Sequence, residues 1–324
     1  MYLGKKKQDP AYLEGLRKLL YVKDSDLRMV TLRQGTSAID KGIHMGGASS
    51  ATVSLVSLFY GGYMHYDVQD PTKAGQDMFV LSKGHAVAAM ASVYADVGYY
   101  PASVLENSRC HDSILNGHPG PILPGVAIAT GPLGQGVAVA QGLALAGKNG
   151  PEFDVFSLTG DGELQEGVVW EAFMFAPQKR LDNLCVLIDK NEGQLDTYTK
   201  LHFSMDKLGD QLAAFGWKVV EVDATGYGPI LDALAAFAKD TRDGRPTVII
   251  CNSYKGYGSF SEGLDKHKIT LPGDVCTQEL ALQKVRRDQR FASYMAYLEV
   301  LKAEGATDVV KALEAKSTAL NIAD

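Results

Sequence analysis

Residues 154–191 read DVFSLTGDGELQEGVVWEAFMFAPQKRLDNLCVLIDKN, and this stretch decides the fold class. It begins and ends with two continuously apolar runs, VFSLT and CVLID, which a segment of helical length separates. Strands that are apolar throughout are typical of a parallel sheet with both faces covered, and strand–helix–strand alternation is the pattern of a βαβ unit. The stretch therefore predicts parallel strands at 154–160 and 183–189, with a helix between them.

Alternating strands and helices continue on both sides of this stretch. Apolar runs predict further strands at 77–82, 217–223 and 246–252. Apolar positions at helical spacing predict helices at 11–34, 50–60, 86–95, 137–148 and 228–240, and two more within 277–320, divided near Gly305. We therefore expect an α/β fold, with a mostly parallel sheet, helices on both faces and helical extensions at the N- and C-terminal ends.

The composition excludes several classes of protein. The chain has 324 residues, of which 46% are hydrophobic and 22% charged, as in ordinary soluble globular proteins. These proportions exclude a disordered chain, a collagen-like fibre and a small protein held together by disulfides. Lys and Arg number 32 against 38 Asp and Glu, a net charge of −6, which argues against a nucleic-acid partner.

Cysteine spacing and hydropathy indicate the compartment. None of the four cysteines belongs to a CxxC pair, which argues against a zinc or redox motif. The first residues lack the apolar stretch of a signal peptide, and no apolar run nears the length that crosses a bilayer. We therefore expect a cytoplasmic protein with reduced thiols and no membrane partner.

Polar residues directly follow both strands of the 154–191 stretch. Asp161 lies within Gly160-Asp161-Gly162 after the first strand, and Asn191 follows the second. If these strands are neighbours, about 4.8 Å apart, the two side chains converge at the carboxyl edge of the sheet, where open α/β sheets bind ligands. One carboxylate and one neutral oxygen suit Mg²⁺, and a helix starting near Glu163 would favour a diphosphate at the same edge. The alternative is an ordinary strand-to-helix turn with an Asp cap, which the Asn after the next strand disfavours.

Several motifs resemble those of transketolases, a family of thiamine diphosphate-dependent enzymes. GDG with an Asn after the next strand is similar to the thiamine diphosphate signature. GDGELQEG at 160–167 and TGPLGQGVA at 130–138 resemble the transketolase forms of that signature and of the cofactor loop. LSKGHA at 81–86 and GHP at 117–119 resemble two further elements of the family, in the same order along the chain.

The resemblance covers about residues 10–270 and implies only part of a transketolase. It implies the thiamine diphosphate-binding fold (PP domain) at 1–275, with a helical extension at 276–324 packed on the domain or on a partner. Transketolases add a pyrimidine-binding domain, whose Glu activates the cofactor, and a C-terminal domain, but no further βαβ units follow residue 252. The chain therefore resembles the N-terminal subunit of a split transketolase. The resemblance implies a second chain with the missing domains, in a heterotetramer with two copies of each chain (α₂β₂).

This resemblance implies a reaction in which a two-carbon ketol unit passes from a ketose donor to an aldose acceptor, with thiamine diphosphate and Mg²⁺ as cofactors. A sugar phosphate is the default substrate, and a modified sugar is an alternative. Two competing hypotheses are a component of another split thiamine diphosphate enzyme, similar to a dehydrogenase E1 or a deoxyxylulose-phosphate synthase, and a scaffold without activity. The GPLGQG and LQEG forms argue against the first, and the presence of Asp161, Asn191 and the motif glycines argues against the second.

The resemblance also implies how the chain holds the metal and the diphosphate. Asp161, Asn191 and the backbone carbonyl of Gly193 match the Mg²⁺ ligands of the family. Gly162 and Asn191 match residues that contact the cofactor at its diphosphate end. Gly193 is the position where the family often has a bulkier residue, which a carbonyl ligand tolerates.

Further cofactor contacts are implied for the TGPLG loop and the segment after GDG. Gly131 and Leu133 match the loop that touches the aminopyrimidine, although a glycine-rich helix entry is the alternative. Glu166 and Glu171 match carboxylates near the cofactor at the interface between subunits. A solvated helix charge is the alternative for Glu171.

Four of the seven histidines occupy positions that resemble sites of the family. His44, His85 and His118 lie in family-like contexts, although Ile43 precedes His44 where the family has Gly. His267 lies about where the family has a histidine close to the diphosphate, with spacing that differs by one residue. The resemblance implies that all four contact the sugar and move protons, and that His85 and His267 also contact the cofactor. The remaining histidines are expected at the surface or in packing positions: His65, His111 and His202. The alternative for His111, which lies near the same loop, is a place in the site.

Overall fold

The centre of the protein is a sheet of five parallel strands. The computed structural model describes residues 2–3, 8–37, 42–195, 197–262, 267–268, 270 and 272–322. The strands within them are Met78–Leu81 (β1), Val155–Gly160 (β2), Leu184–Lys190 (β3), Lys218–Asp223 (β4) and Thr247–Asn252 (β5). Their order is β1-β2-β3-β5-β4, and every neighbouring pair is parallel. All five predicted strands are confirmed.

The described residues also form ten α-helices. They are Pro10–Ser37 (α1), Met45–Tyr60 (α2), Val87–Val97 (α3), Gln135–Asn149 (α4), Gly167–Gln178 (α5), Thr199–His202 (α6), Leu208–Phe215 (α7), Tyr227–Lys239 (α8), Gly273–Ala303 (α9) and Thr307–Ala319 (α10). Sequence analysis assigned no element to α6 and α7, which are short; α7 buries only Leu208 and Leu212. None of the described helices combines the length and apolar character needed to span a membrane.

Helices cover both faces of the sheet, which explains why β1, β2, β3 and β5 are buried almost throughout, whereas the edge strand β4 is mostly not. Cys185 and Leu187 of β3 belong to a buried cluster with residues of α1, α2, α3 and α8. Val186 and Ile188 belong to a second buried cluster, with residues of α4, α5 and α7. Successive side chains of a strand point to opposite faces, so the two clusters lie on the two sides of the sheet. The predicted α/β class is therefore confirmed.

The two C-terminal helices pack along α1. Arg290 of α9 donates to Asp24 Oδ2 at 2.7 Å, and the Tyr297 hydroxyl donates to the Ala11 carbonyl at 3.0 Å. α9 begins at Gly273, so the predicted boundary after residue 275 falls inside its first turn. The division into a PP domain and a separate helical extension stays a prediction.

Candidate functional site

The carboxyl edge of the sheet brings Asp161 close to the segment that contains Asn191. β2 and β3 are neighbours, with Gly160 opposite Asp189, so the residues that follow them lie at the same edge. The Glu192 N–H donates to Asp161 Oδ2 at 2.7 Å. Asp161 and Asn191 are only 2% and 7% exposed. The condition for the predicted convergence, that the two strands are neighbours, is therefore met.

Asp161 is a buried carboxylate that accepts hydrogen bonds from neutral donors. These are the Gly162 N–H at 2.8 Å, the Glu192 N–H at 2.7 Å and the Thr199 hydroxyl at 3.1 Å. Within the described ranges, Asp161 forms no ion pair. Burial, and after it the charge of Asp189, raises the pKa of Asp161 to about 6. A cation beside this carboxylate would offset the cost of its burial.

The hydrogen bonds of Asn191 determine where its amide oxygen lies. Its Nδ2 donates to Asp189 Oδ2 at 3.0 Å and to Ser50 Oγ at 3.2 Å, while its Oδ1 accepts the Gly193 N–H at 3.0 Å. An amide oxygen has two lone pairs, so Oδ1 retains one for a further partner. Asn191 can therefore present an oxygen to a cation.

A buried ion pair between Lys83 and Asp189 lies beside Asn191. The two side chains are 1% and 2% exposed, and Asp189 Oδ2 also accepts the Ser50 hydroxyl at 2.7 Å. The sequence patterns did not predict this pair. The available signal was a Lys in the LSKGHA motif and an Asp at the end of the apolar run CVLID, since buried charges need partners.

The helix predicted to start near Glu163 is found, but with a separate first turn. Gly162–Gln165 form a 3₁₀ turn, and α5 begins only at Gly167. Glu166 adopts an extended backbone, with φ −77° and ψ 127°, which interrupts the helical hydrogen bonding. The Glu163 side chain is 2% exposed and turns into the protein.

The structure brings the four predicted histidines together from separate segments. His44 precedes α2, His85 lies in a 3₁₀ turn after β1, and His118 and His267 lie in loops. The ring centroid of His44 is 5.8 Å from that of His85, 6.1 Å from that of His118 and 5.0 Å from that of His267. The centroids of His85 and His267 are 4.8 Å apart. The other three histidines are exposed: His65, His111 and His202.

Burial and nearby cations favour the neutral form of these histidines. Burial, and after it the neighbouring charged groups, lowers the pKa of His44 to about 4. Burial and then Lys83 lower the pKa of His85 well below its usual value. Burial and then Arg109 lower the pKa of His118. A neutral imidazole has one donor and one acceptor, so the cluster can form hydrogen bonds with hydroxyl groups in both directions.

The TGPLG loop connects the histidines to the GDG turn. A Cβ added at Gly131 would lie 3.2 Å from the His118 ring, so the loop passes directly beside this histidine. Gly134 has a left-handed φ of +83°, and an added Cβ would lie 2.6 Å from the Val168 side chain, so glycine is required here. Leu133, between them, is 37% exposed.

The remaining predicted residues differ in exposure. A Cβ added at Gly193 would collide with the Lys255 side chain, which explains a glycine at this position. Glu166 and Glu171 are exposed, and Met174 and Phe175 of α5 are also exposed, by 48% and 41%. Exposure is compatible with an interface between subunits and with solvated charges alike, so the roles of both carboxylates stay predictions.

Comparisons with known proteins identify related chains. The sequence model of the family described as "Transketolase, thiamine diphosphate binding domain" matches residues 37–279. A transketolase of Pongo abelii is 39% identical over 75% of this chain and 38% of its own length. One of the subunits of the apulose-4-phosphate transketolase of Actinobacillus succinogenes is 37% identical over 74% of this chain and 87% of its own length.

A solved structure has the same fold. The transketolase from Leishmania mexicana superposes with a TM-score of 0.70 and 28% sequence identity, and the match covers 94% of this chain and 48% of that protein. The chain thus spans less than half the length of both transketolases, but most of the length of the Actinobacillus succinogenes protein. The predicted fold of the thiamine diphosphate-binding type is therefore confirmed.

Proposed function

Because this chain belongs to the family of transketolase thiamine diphosphate-binding domains, we propose that it is the cofactor-binding subunit of a two-chain transketolase. The observation that carries the proposal is the meeting of Asp161, Asn191 and the histidine cluster at the carboxyl side of the sheet. The match to most of the Actinobacillus succinogenes protein, which is itself one subunit of a transketolase, supports a second chain.

The residues at this edge fit a magnesium-bound diphosphate. Asp161 is buried without a cation beside it in the described residues, and Asn191 retains a lone pair, so together they offer two oxygens to Mg²⁺. A Cβ added at Gly162 would meet the Gln194 side chain at 3.3 Å, so the glycine keeps this turn open. We propose that Asp161, Asn191 and the Gly193 carbonyl bind Mg²⁺, and that Gly162 and Asn191 contact the diphosphate.

The TGPLG loop and the residues before α5 provide further contacts. Gly131 and Leu133 contact the aminopyrimidine, and the exposure of Leu133 leaves it accessible to a ligand. Glu166 contributes a carboxylate near the cofactor, and Glu171 contributes one at the interface with the partner chain. When bound, thiamine diphosphate supplies the electron sink for breaking and forming carbon–carbon bonds.

The histidine cluster binds the sugar and moves its protons. Since their lowered pKa values favour neutral rings, His44, His85 and His118 can each accept a proton from a hydroxyl or donate one to it. His267 lies within 5.0 Å of His44 and completes the cluster. His85 and His267 also contact the cofactor in this proposal.

The proposal extends to substrates, partner and compartment. The substrates are a ketose donor and an aldose acceptor, which are sugar phosphates or related sugars. The partner chain supplies the pyrimidine-binding and C-terminal domains, in a cytoplasmic heterotetramer of two copies of each chain. Residues 1–275 form the PP domain of this assembly, and residues 276–324 form its helical extension.

Native mass spectrometry of the tagged chain, purified from its own cells with Mg²⁺ and thiamine diphosphate, tests this proposal. We expect a stoichiometric second chain and bound cofactor. The complex should then transfer a two-carbon unit from a ketose to an aldose without any 2-oxo acid. Activity that requires a 2-oxo acid indicates another split thiamine diphosphate enzyme, and a chain with neither partner nor cofactor contradicts the proposal.

A further inference from the structure

Glu163 joins three segments that surround the proposed cofactor site. Its Oε1 accepts the Ser82 hydroxyl at 2.5 Å and the Gly134 N–H at 2.7 Å. Its Oε2 accepts the Thr159 hydroxyl at 2.7 Å and the Gly160 N–H at 3.1 Å. Four donors from the LSKGHA turn, the TGPLG loop and the end of β2 therefore meet on one carboxylate that is 2% exposed.

This arrangement requires a carboxylate. An ionised carboxylate only accepts hydrogen bonds, and its two oxygens have room for all four donors. A glutamine would direct an NH₂ group at two of them. The hydroxyl of Ser82 or Thr159 can turn and accept from that group, but the N–H of Gly134 or Gly160 cannot. One buried backbone donor would therefore lose its partner, at a cost in free energy.

The hydrogen bonds of Glu163 extend to the start of α4. Ser82 Oγ also accepts the Val137 N–H at 3.1 Å, so the chain after the TGPLG loop is attached to Glu163 through Ser82. On its other oxygen, Glu163 accepts from Gly160, which directly precedes Asp161. One side chain thus connects the loop to the residue that the proposed function places at the metal.

We infer that Glu163 is a positioning residue that sets the aminopyrimidine loop against the metal–diphosphate turn, an inference that rests on the proposed function. Its oxygens accept from Ser82, Gly134, Thr159 and Gly160, so it acts through these groups and not on the cofactor itself. Loss of the carboxylate should therefore weaken binding of the whole cofactor more than binding of its diphosphate end.

The variant E163Q in the two-chain complex tests this inference. Trp170 Nε1 donates to the Leu164 carbonyl at 2.7 Å, so its fluorescence can follow binding of Mg²⁺ with thiamine diphosphate or with inorganic pyrophosphate. We expect the affinity for thiamine diphosphate to fall about tenfold, as when one buried donor is left unpaired. The affinity for pyrophosphate should fall by much less. S82A, which removes one of the four donors, should cause a smaller loss of the same kind.

Asp182→Asn is the matched control. Asp182 is 6% exposed and accepts the Gly244 N–H at 2.8 Å at the opposite edge of the sheet, so this variant should lose stability but neither affinity. Equal losses of both affinities in E163Q, or no loss of either, overturn the positioning role. A wild-type complex that binds neither thiamine diphosphate nor pyrophosphate overturns the proposed function instead.

Amide hydrogen exchange of the full chain, without cofactor, tests the same connection independently. The Gly134 amide bonds to Glu163 directly, and the Val137 amide bonds through Ser82. The Gly160 amide bonds to the other oxygen of Glu163. Of Gly134 and Gly160, the amide that faces the NH₂ group should exchange about tenfold faster in E163Q, and both should exchange at the wild-type rate in D182N. Unchanged exchange at both of these glycine amides in E163Q overturns the inference, whatever the activity of the complex.

Discussion

The carboxylates at the two edges of the sheet are compensated in different ways. At the amino edge, Arg242 Nη2 donates to both oxygens of Asp154, at 2.9 and 2.8 Å, and Lys148 pairs with Asp182 at 2.5 Å. At the carboxyl edge, Asp161 is 2% exposed and accepts hydrogen bonds from neutral groups in the part of the chain that the structure describes.

This difference distinguishes carboxylates that only stabilise the fold from a carboxylate that can bind a ligand. A buried carboxylate without a cation costs free energy, whereas a paired one is compensated within the protein. Asp154 and Asp182 therefore need no ligand, but Asp161 gains from a bound cation. The charge of Lys83 lowers the pKa of Asp161, but burial and Asp189 raise it by more, and the ion pair of Lys83 is with Asp189.

Of the substitutions that test this difference between the edges, Asp161→Ala should have the largest effect. The affinity of the two-chain complex for thiamine diphosphate with Mg²⁺ should fall more than about a hundredfold, since losing even an outer-shell partner of a metal ligand costs roughly 10–100-fold. Isothermal titration calorimetry measures the change. Asp154→Ala, at the amino edge, is the control and should bind normally. Wild-type affinity in the Asp161 variant would mean that the cation site lies elsewhere.

Lys83→Met should cause the next largest effect, on stability. The free energy of unfolding should fall by about 3–5 kcal/mol, because Asp189 stays buried without its cation. Lys148→Met should cost less, since the Lys148 side chain is 34% exposed and water screens its pair with the buried Asp182. Urea denaturation of both variants measures the difference. Equal losses of unfolding free energy would show that the buried Lys83–Asp189 pair stabilises the fold no more than the partly exposed Lys148–Asp182 pair.

His118→Asn should lower kcat/KM of the two-chain complex by about a hundredfold, the usual contribution of a group that moves a proton. Steady-state kinetics with a ketose and an aldose measure this ratio. The His111 side chain is 99% exposed, so His111→Asn is the control and should leave the ratio unchanged. Similar kinetics for both variants would remove His118 from the proposed site.

The pH dependence of folding stability that His44 causes should be the smallest of these effects. Its pKa is lowered to about 4 in the folded protein, whereas a histidine in the unfolded chain titrates near about 6.5. As the pH falls through this window, the unfolded chain binds the proton first, so the folded protein loses stability. Melting temperatures measured across the window should fall more steeply for the wild type than for His44→Asn. Parallel curves would contradict a neutral His44.

Much of the fold could be predicted because its signals are local. The inner strands are largely apolar, because helices cover both faces of the sheet there, as the alternation of Cys185 and Val186 between the two clusters shows. The edge strand β4 also contains Lys218 and Glu221. Asp161 and Asn191 could be located because they directly follow neighbouring strands. The four histidines were selected by resemblance, and their meeting in one cluster is a result of the fold.

The missing predictions concern groups whose partners are distant in sequence. From the sequence, Glu163 was assigned only a position near the start of a helix. Its carboxylate instead accepts from Ser82 and Gly134, which no local pattern indicates. Lys83 and Asp189 were missed for the same reason.

By itself, the sequence determined the strands, most helices and the polar residues at the carboxyl edge. Periodicity and turn residues act over a few neighbours, so they can be recognised without the fold. Only the tertiary structure decided that β5 lies between β3 and β4, that α9 and α10 pack on α1, and that Lys83 meets Asp189. These contacts depend on packing and on compensation of buried charge, which arise only when distant segments come together.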